Sequence, residues 1–281
     1  MRFSSPPSFV SVEKPRFSAV KPLLVSSPHS GRCYPEPFLV SSCLSEASLR
    51  RTEDRLMDWF CDGLSEEGVT VIKTSLPRVW CDVNRGCAEV DERMFRPPPI
   101  GRSFERTDKV RAGFGVIPRL ASHSIPIYTH CLPLEELDQR LSAGWFPYHA
   151  AVERELACLS HQYSRGVVLL DMHSMPPLPI SAPCDIVLGD LHGRSCDFEI
   201  MAAVRGFFQK RGYAVRLNAP YAGGYITQHY GRPTKGQHAL QVEINRSCYL
   251  NMNTYELSKN AELVKRDIRD MICFVADEIM K

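Results

Sequence analysis

Two histidines far apart in the chain, His29 and His173, each sit at the end of a short apolar run. A catalytic zinc commonly takes three imidazole or carboxylate ligands and leaves one position for water. His29 and His173 are the first two candidates, and a hydrogen-bonded loop histidine is the ordinary alternative for each. Asp171 lies two residues before His173 on an extended segment, so both side chains leave the same face. Asp171 either orients His173 or is itself a ligand. A carboxylate should complete the set, and Glu53 and Asp54 both qualify, although acids in a first helical turn also suit the helix dipole. Glu243 stands among Leu240, Val242 and Ile244. A carboxylate there is costly unless paired or used, and burial moves its pKa toward that of a general base. A buried pair with Arg246 is the alternative. The run Asp82-Val83-Asn84-Arg85 sets an amide beside a guanidinium. Such a fork grips a substrate carboxylate with two parallel hydrogen bonds, unless it only forms a surface ion pair with Asp82.

The elements that position these residues follow from hydrophobic spacing. Ligands of open α/β sheets sit beyond the carboxyl ends of strands. A strand over 22–27 runs into Pro28-His29-Ser30-Gly31. A helix is predicted over 48–66, with Leu49, Leu56, Trp59, Phe60 and Leu64 as its apolar stripe, stopped by Gly68. Strands are predicted over 69–72 and 79–83, the latter finishing at Asp82, Asn84 and Arg85. Residues 86–126 are irregular, and long loops are commonly functional. A long helix over 134–159 has a break near 144–147. The strand over 166–171 reads as a central parallel strand. Further strands fall at 185–188, 213–217 and 239–244, and helices at 198–211 and 255–280. The alternation predicts an α/β fold, a single domain with a mixed, mostly parallel central sheet flanked by helices. That domain spans 21–281, behind an irregular N-terminal arm over 1–20.

With 281 residues, 44% of them hydrophobic, the chain can bury one large core. The net charge of +2 with interspersed signs argues against a nucleic-acid partner. No run of 18 apolar residues suggests a membrane span, and residues 1–22 lack the apolar core of a secretory signal. Eleven cysteines, an odd number without a CxxC pair, read as free thiols in a reducing cytoplasm. Serine-hydrolase elbows, P-loops and dinucleotide fingerprints are absent from the sequence.

Eight segments in series resemble the N-formylglutamate amidohydrolase family, over roughly residues 23–275. They are Ser27-Pro28-His29-Ser30-Gly31, Thr52-Glu53-Asp54, Pro77-Arg78 with Asp82-Val83-Asn84-Arg85, and Gly115-Val116-Ile117-Pro118-Arg119. Then come Asp171-Met172-His173-Ser174-Met175-Pro176, Asp185-Ile186-Val187-Leu188-Gly189-Asp190, Pro220-Tyr221-Ala222-Gly223-Gly224-Tyr225 and Gln241-Val242-Glu243-Ile244-Asn245-Arg246. The resemblance implies a zinc carboxypeptidase-like (phosphorylase/hydrolase-like) fold. It implies Zn²⁺ on His29, Asp54 and His173, with Asp171 and Glu53 supporting. Glu243 would be the general base. Arg119, or Arg78, would face the oxyanion. Asn84 and Arg85, with Arg78 and Arg246, would hold the substrate carboxylates. The loop with Tyr221, Gly223 and Gly224 would close over the substrate, or be a tight structural turn. The implied reaction is hydrolysis of a small anionic N-acyl amino acid such as N-formyl-L-glutamate to formate and the free amino acid, as in histidine degradation. A deacylase or peptidase acting elsewhere, and a binding member without activity, are the rival expectations. A monomer or small homo-oligomer in the cytoplasm, with no nucleic-acid or membrane partner, completes the picture.

Overall fold

Two strands hold Asp171, His173 and Glu243, while His29, Asp54, Asn84 and Arg85 lie on the segments between elements. A computed structural model describes residues 8–121, 125–179 and 183–280. In it β1 is Val10–Glu13, β2 Leu23–Ser27, β3 Thr70–Thr74, β4 Phe95–Arg96, β5 Leu132–Pro133, β6 Val167–Met175, β7 Ile186–Gly189, β8 Val215–Leu217 and β9 Gln237–Asn245. Seven form one sheet in the order β1-β3-β2-β6-β9-β7-β8, and β4 pairs with β5. The β2–β6, β6–β9 and β7–β8 pairs are parallel, and β7–β9 is antiparallel. The fold is therefore the expected mixed α/β domain with a mostly parallel central sheet and flanking helices.

Strand alternation sorts the side chains. Val25, Leu170, Met172, Val242 and Ile244 enter a core that includes Phe60, Val204 and Ile272. The residues between them, Ser26, Asp171, His173, Gln241 and Glu243, leave on the other face. Parallel register sets Ser26 beside Asp171, Asp171 beside Gln241, and His173 beside Glu243.

Among the described residues packing separates two compact units within the domain, one of residues 8–12, 29–53, 73–121 and 125–151, the other of 13–28, 54–72, 152–179 and 183–280. The second contains β2, β6 to β9 and the helix Ala261–Met280. The first contains the β4–β5 pair and a core built around a buried cation. Arg140 donates to the Trp80 carbonyl (3.3 Å), to Tyr128 Oη (2.7 Å) and to Glu136. Its guanidinium also lies 5.5–5.7 Å from the rings of Phe38, Trp80 and Tyr128. Removing one partner of a buried ionic group strands the others. Arg140→Met is expected to cost about 3 kcal/mol, read from urea unfolding; a change below about 1 kcal/mol would show that the cation does not organise this unit.

Several expectations need correction. The helix over 48–66 is broken into Glu46–Leu49, a 3₁₀ turn Arg50–Thr52, Met57–Phe60 and a 3₁₀ turn Leu64–Glu67. Glu53 is extended (φ −63°, ψ 144°) and Leu56 is left-handed (φ 62°), so no continuous helix passes residues 53–56. Leu49, Phe60 and Leu64 are buried all the same, because short turns satisfy the same spacing. Gly68 ends the segment as predicted, at φ 88°. Residues 79–83 form a turn rather than a strand. The Trp80 N–H bonds the Pro77 carbonyl, and the Asp82 carboxylate accepts the Asn84 N–H, an Asx turn that competes with strand pairing. The break near 144–147 is a π-helical segment, Leu141–Trp145, between Leu134–Arg140 and Phe146–Gln162. The last helix starts at Ala261 rather than 255, since Tyr255 is left-handed (φ 58°). The arm over 1–20 is not wholly irregular: Val10–Glu13 is strand β1, and residues 1–7 lie outside the described residues. Among the described residues no helix is long and apolar enough to cross a membrane.

Candidate metal centre

On the polar face of β6, Ser26 Oγ donates to Asp171 Oδ1 (2.8 Å), and Asp171 Oδ2 meets His173 Nε2 (2.8 Å). The other ring nitrogen, Nδ1, lies 2.8 Å from Asp54 Oδ2. Burial alone would push the His173 pKa down, but Asp171 and Asp54 outweigh it and hold the imidazole well above its usual value. Beside it on β9, Glu243 is 7% exposed, and its Oε1 accepts from Gln241 Nε2 (2.8 Å). These bonds form because the sheet places every second residue of β6 and β9 on one surface. β6 runs on to Met175, so Asp171 and His173 are strand residues rather than loop residues.

After β2 the chain turns at Pro28, and His29 Nε2 meets Asp82 Oδ1 at 2.7 Å. Asp82 Oδ2 accepts from Arg78 Nη2 (3.0 Å). Burial would raise the Asp82 pKa, yet His29, Arg78 and Arg85 keep the carboxyl well below its ordinary range. Arg85 donates from Nε to the Phe114 carbonyl (3.1 Å) and from Nη1 to the Asn84 carbonyl (2.9 Å). Its own carbonyl accepts the Trp145 indole N–H (2.7 Å). Lys109 joins this cationic group: burial first, then Arg85 and Arg78, lower its pKa. A Cβ on Gly31 would stand 2.1 Å from the Leu76 carbonyl oxygen. Gly31→Ala must therefore move the backbone two residues past His29. It is expected to destabilise the protein by about 2–3 kcal/mol and to weaken metal uptake, measured by thermal melting and metal content; a neutral Ala variant would show that the loop yields freely.

The ligand atoms of His29, Asp54 and His173 all lie within 4.8 Å of one another, and all three residues are buried. Two imidazoles and one carboxylate make a donor set suited to zinc. Each imidazole also has its second nitrogen on an aspartate, Asp82 or Asp171, as metal-bound histidines usually do. The residues thus fit a divalent ion. Asp54 rather than Glu53 is in this group; Glu53 Oε1 accepts from the Tyr34 hydroxyl (2.8 Å).

Other residues singled out in the sequence have different surroundings. Arg119 Nε lies 3.4 Å from Asp91 Oδ2, and Arg119 lines a cavity of about 420 Å³ with Asp91, Arg93, Tyr128, His130 and Cys131. Arg246 bonds Asp54 and Ser174. Tyr221 packs on Met175, two residues past His173, and on Val187, which is in register with Glu243. Gly223 is at φ 138°, and the Gly224 N–H bonds Thr227 Oγ1 (2.9 Å), so this segment is a built turn that opens the helix Tyr225–Tyr230. Gln241, Ser26 and Lys109 escaped the sequence reading. Gln241 and Ser26 carried a usable signal, a polar residue at the same strand parity as the chemistry. Lys109 carried none.

Known proteins resemble the chain over most of its length. It is 29% identical to the N-formylglutamate deformylase of Pseudomonas putida over 236 residues, 82% of each chain. The deformylase of Pseudomonas aeruginosa is 28% identical over 237 residues, again 82% of each. The crystal structure of an N-formylglutamate amidohydrolase from Ralstonia eutropha JMP134 superposes with a TM-score of 0.91 at 28% identity, covering 98% of this chain and 99% of that one. A protein from Agrobacterium tumefaciens shares the fold, with a TM-score of 0.71 at 17% identity over 98% of this chain and 97% of that one. The profile of one family matches residues 21–250, and the chain belongs to it: the N-formylglutamate amidohydrolases.

Proposed function

We propose that this chain is a zinc-dependent amidohydrolase that deformylates N-formyl-L-glutamate, giving formate and glutamate. The observation that carries this reading is the convergence of His29, Asp54 and His173, with Glu243 in register beside His173. Bound there, zinc would supply Lewis acidity at the formyl oxygen and make a water a better nucleophile at neutral pH. Glu243 takes the water's proton and passes it to the leaving nitrogen as the amide bond breaks. Gln241 fixes one carboxylate oxygen of Glu243 for that transfer. Arg78, bonded to Asp82, is the cation for the developing oxyanion. Arg119, the other candidate for that role, lies 3.4 Å from Asp91.

Arg85 and Asn84 hold a substrate carboxylate. The Arg85 guanidinium is oriented by two carbonyls before substrate arrives, so little side-chain entropy is lost on binding. Lys109 adds positive potential, which suits a dicarboxylate such as formylglutamate. Tyr221 packs on the sheet face that carries His173 and Glu243. The eleven free thiols suit a reducing cytoplasm.

Formate release should be measured with purified, zinc-loaded protein on N-formyl-L-glutamate, N-acetyl-L-glutamate, N-formyl-L-alanine and a short peptide. N-formyl-L-glutamate is expected to give the highest kcat/KM. Preferred turnover of the acetyl compound or the peptide would reassign the enzyme as a different deacylase or peptidase. Chelation should abolish turnover, and added zinc should restore it.

A further inference from the structure

We infer that Arg246 is a positioning residue for the metal ligand Asp54 rather than a contact for substrate. The inference rests on the metal reading above and deepens it. Arg246 follows β9 directly, in the 3₁₀ turn Arg246–Cys248, and is 7% exposed. Its Nε donates to Ser174 Oγ (3.0 Å), and its Nη2 donates to the Ser174 carbonyl (3.3 Å) and to Asp54 Oδ1 (3.3 Å). Ser174 is the residue after His173. One guanidinium thus ties the Asp54 segment to the strand that carries His173.

Asp54 needs such a tie. It sits in the helix break, between extended Glu53 and left-handed Leu56, where a 3₁₀-type bond from the Met57 N–H to the Asp54 carbonyl (3.1 Å) stands in place of a regular helical ladder. The same turn secures the next residue: Tyr249 Oη donates to the Arg55 carbonyl (2.7 Å). The two Asp54 oxygens are divided between tasks. Oδ1 faces Arg246, and Oδ2 faces His173 Nδ1 (2.8 Å). A carboxylate held in this way offers Oδ2 as a single, directed donor.

Charge supports the assignment. Asp54, Asp171 and Glu243 are buried in one unit and carry three negative charges when ionised. A divalent ion offsets two of them, and the Arg246 cation offsets the third. Buried charges persist only when compensated in this way. An arginine with that task, fixed on Ser174 by two bonds, is poorly placed to reach out for a substrate carboxylate.

The test uses full-length protein stripped by chelator and titrated with Zn²⁺ against a chromophoric competitor. Arg246→Met is expected to weaken zinc binding by about 10–100-fold, with the KM for N-formyl-L-glutamate at saturating zinc within about threefold of wild type. Arg246→Lys keeps the charge without the three-point grip and should fall between the two. Ser174→Ala removes one acceptor and should weaken zinc binding by a few-fold only. If Arg246→Met fails to melt cooperatively, Arg246→Lys and Ser174→Ala decide the matter by the same readout. Unchanged zinc affinity in Arg246→Lys and Arg246→Met overturns the inference, most directly if KM rises instead. A wild-type protein that takes up no divalent ion overturns the metal reading and this inference together. A wild type that binds zinc tightly while the variants bind equally well overturns only the role of Arg246.

Discussion

Glu243→Gln is expected to lower kcat on N-formyl-L-glutamate by about 10²–10⁴-fold, the usual contribution of a general base, and to leave zinc content unchanged. Gln matches Glu in shape, so the buried position next to His173 stays filled. Its carbonyl oxygen can still accept the Gln241 amide N–H that now bonds Glu243 Oε1. What it cannot do is take and return a proton. The variant therefore separates proton transfer from packing and from metal binding. Steady-state kinetics with metal analysis on the same sample gives the answer. Full turnover in Glu243→Gln would remove Glu243 from the proposed mechanism.

His173→Ala is expected to lose stoichiometric zinc and with it at least about 10³-fold of turnover, since the metal supplies several kcal/mol of the transition-state stabilisation. His173 stands between two carboxylates, Asp54 on Nδ1 and Asp171 on Nε2. Truncation deletes the proposed ligand and also the group that holds those two acids at hydrogen-bonding distance. Two buried carboxylates facing a gap repel each other and lack solvation. The melting temperature of the metal-free variant should fall as well. Circular dichroism at the assay temperature shows whether the variant is folded when its zinc is counted. A folded His173→Ala protein with one zinc per chain would disprove His173 as a ligand.

How far the site could be read from the sequence depends on the kind of element that carries each residue. Asp171, His173 and Glu243 lie on β6 and β9, where parity along the strand already decides the face. Gln241 obeys the same parity and could have been found by it. The helix over 48–66 misled because its spacing of apolar residues is also satisfied by short helical turns on either side of a break. Residues 79–83 misled in another way: the Asp82 side chain captures a local backbone N–H and turns the chain. By residue type Arg119 was a candidate for the oxyanion and Arg246 for the substrate carboxylates, but arginine serves carboxylates of the protein equally well. Asp91 and Asp54 are those carboxylates.

Sequence by itself named the candidate donors and determined the mixed α/β class and the strand faces, because alternation and apolar runs are local properties of the chain. Which acid reaches His173 was a tertiary outcome. Glu53 and Asp54 are neighbours with the same chemistry, and only the backbone break after residue 52 sends one to Tyr34 and the other to the histidines. The partner of Arg246 was likewise decided by folding, since its bond to Asp54 spans 192 residues of chain. Contacts over such separations depend on the packed positions of whole strands and turns, which no local pattern encodes.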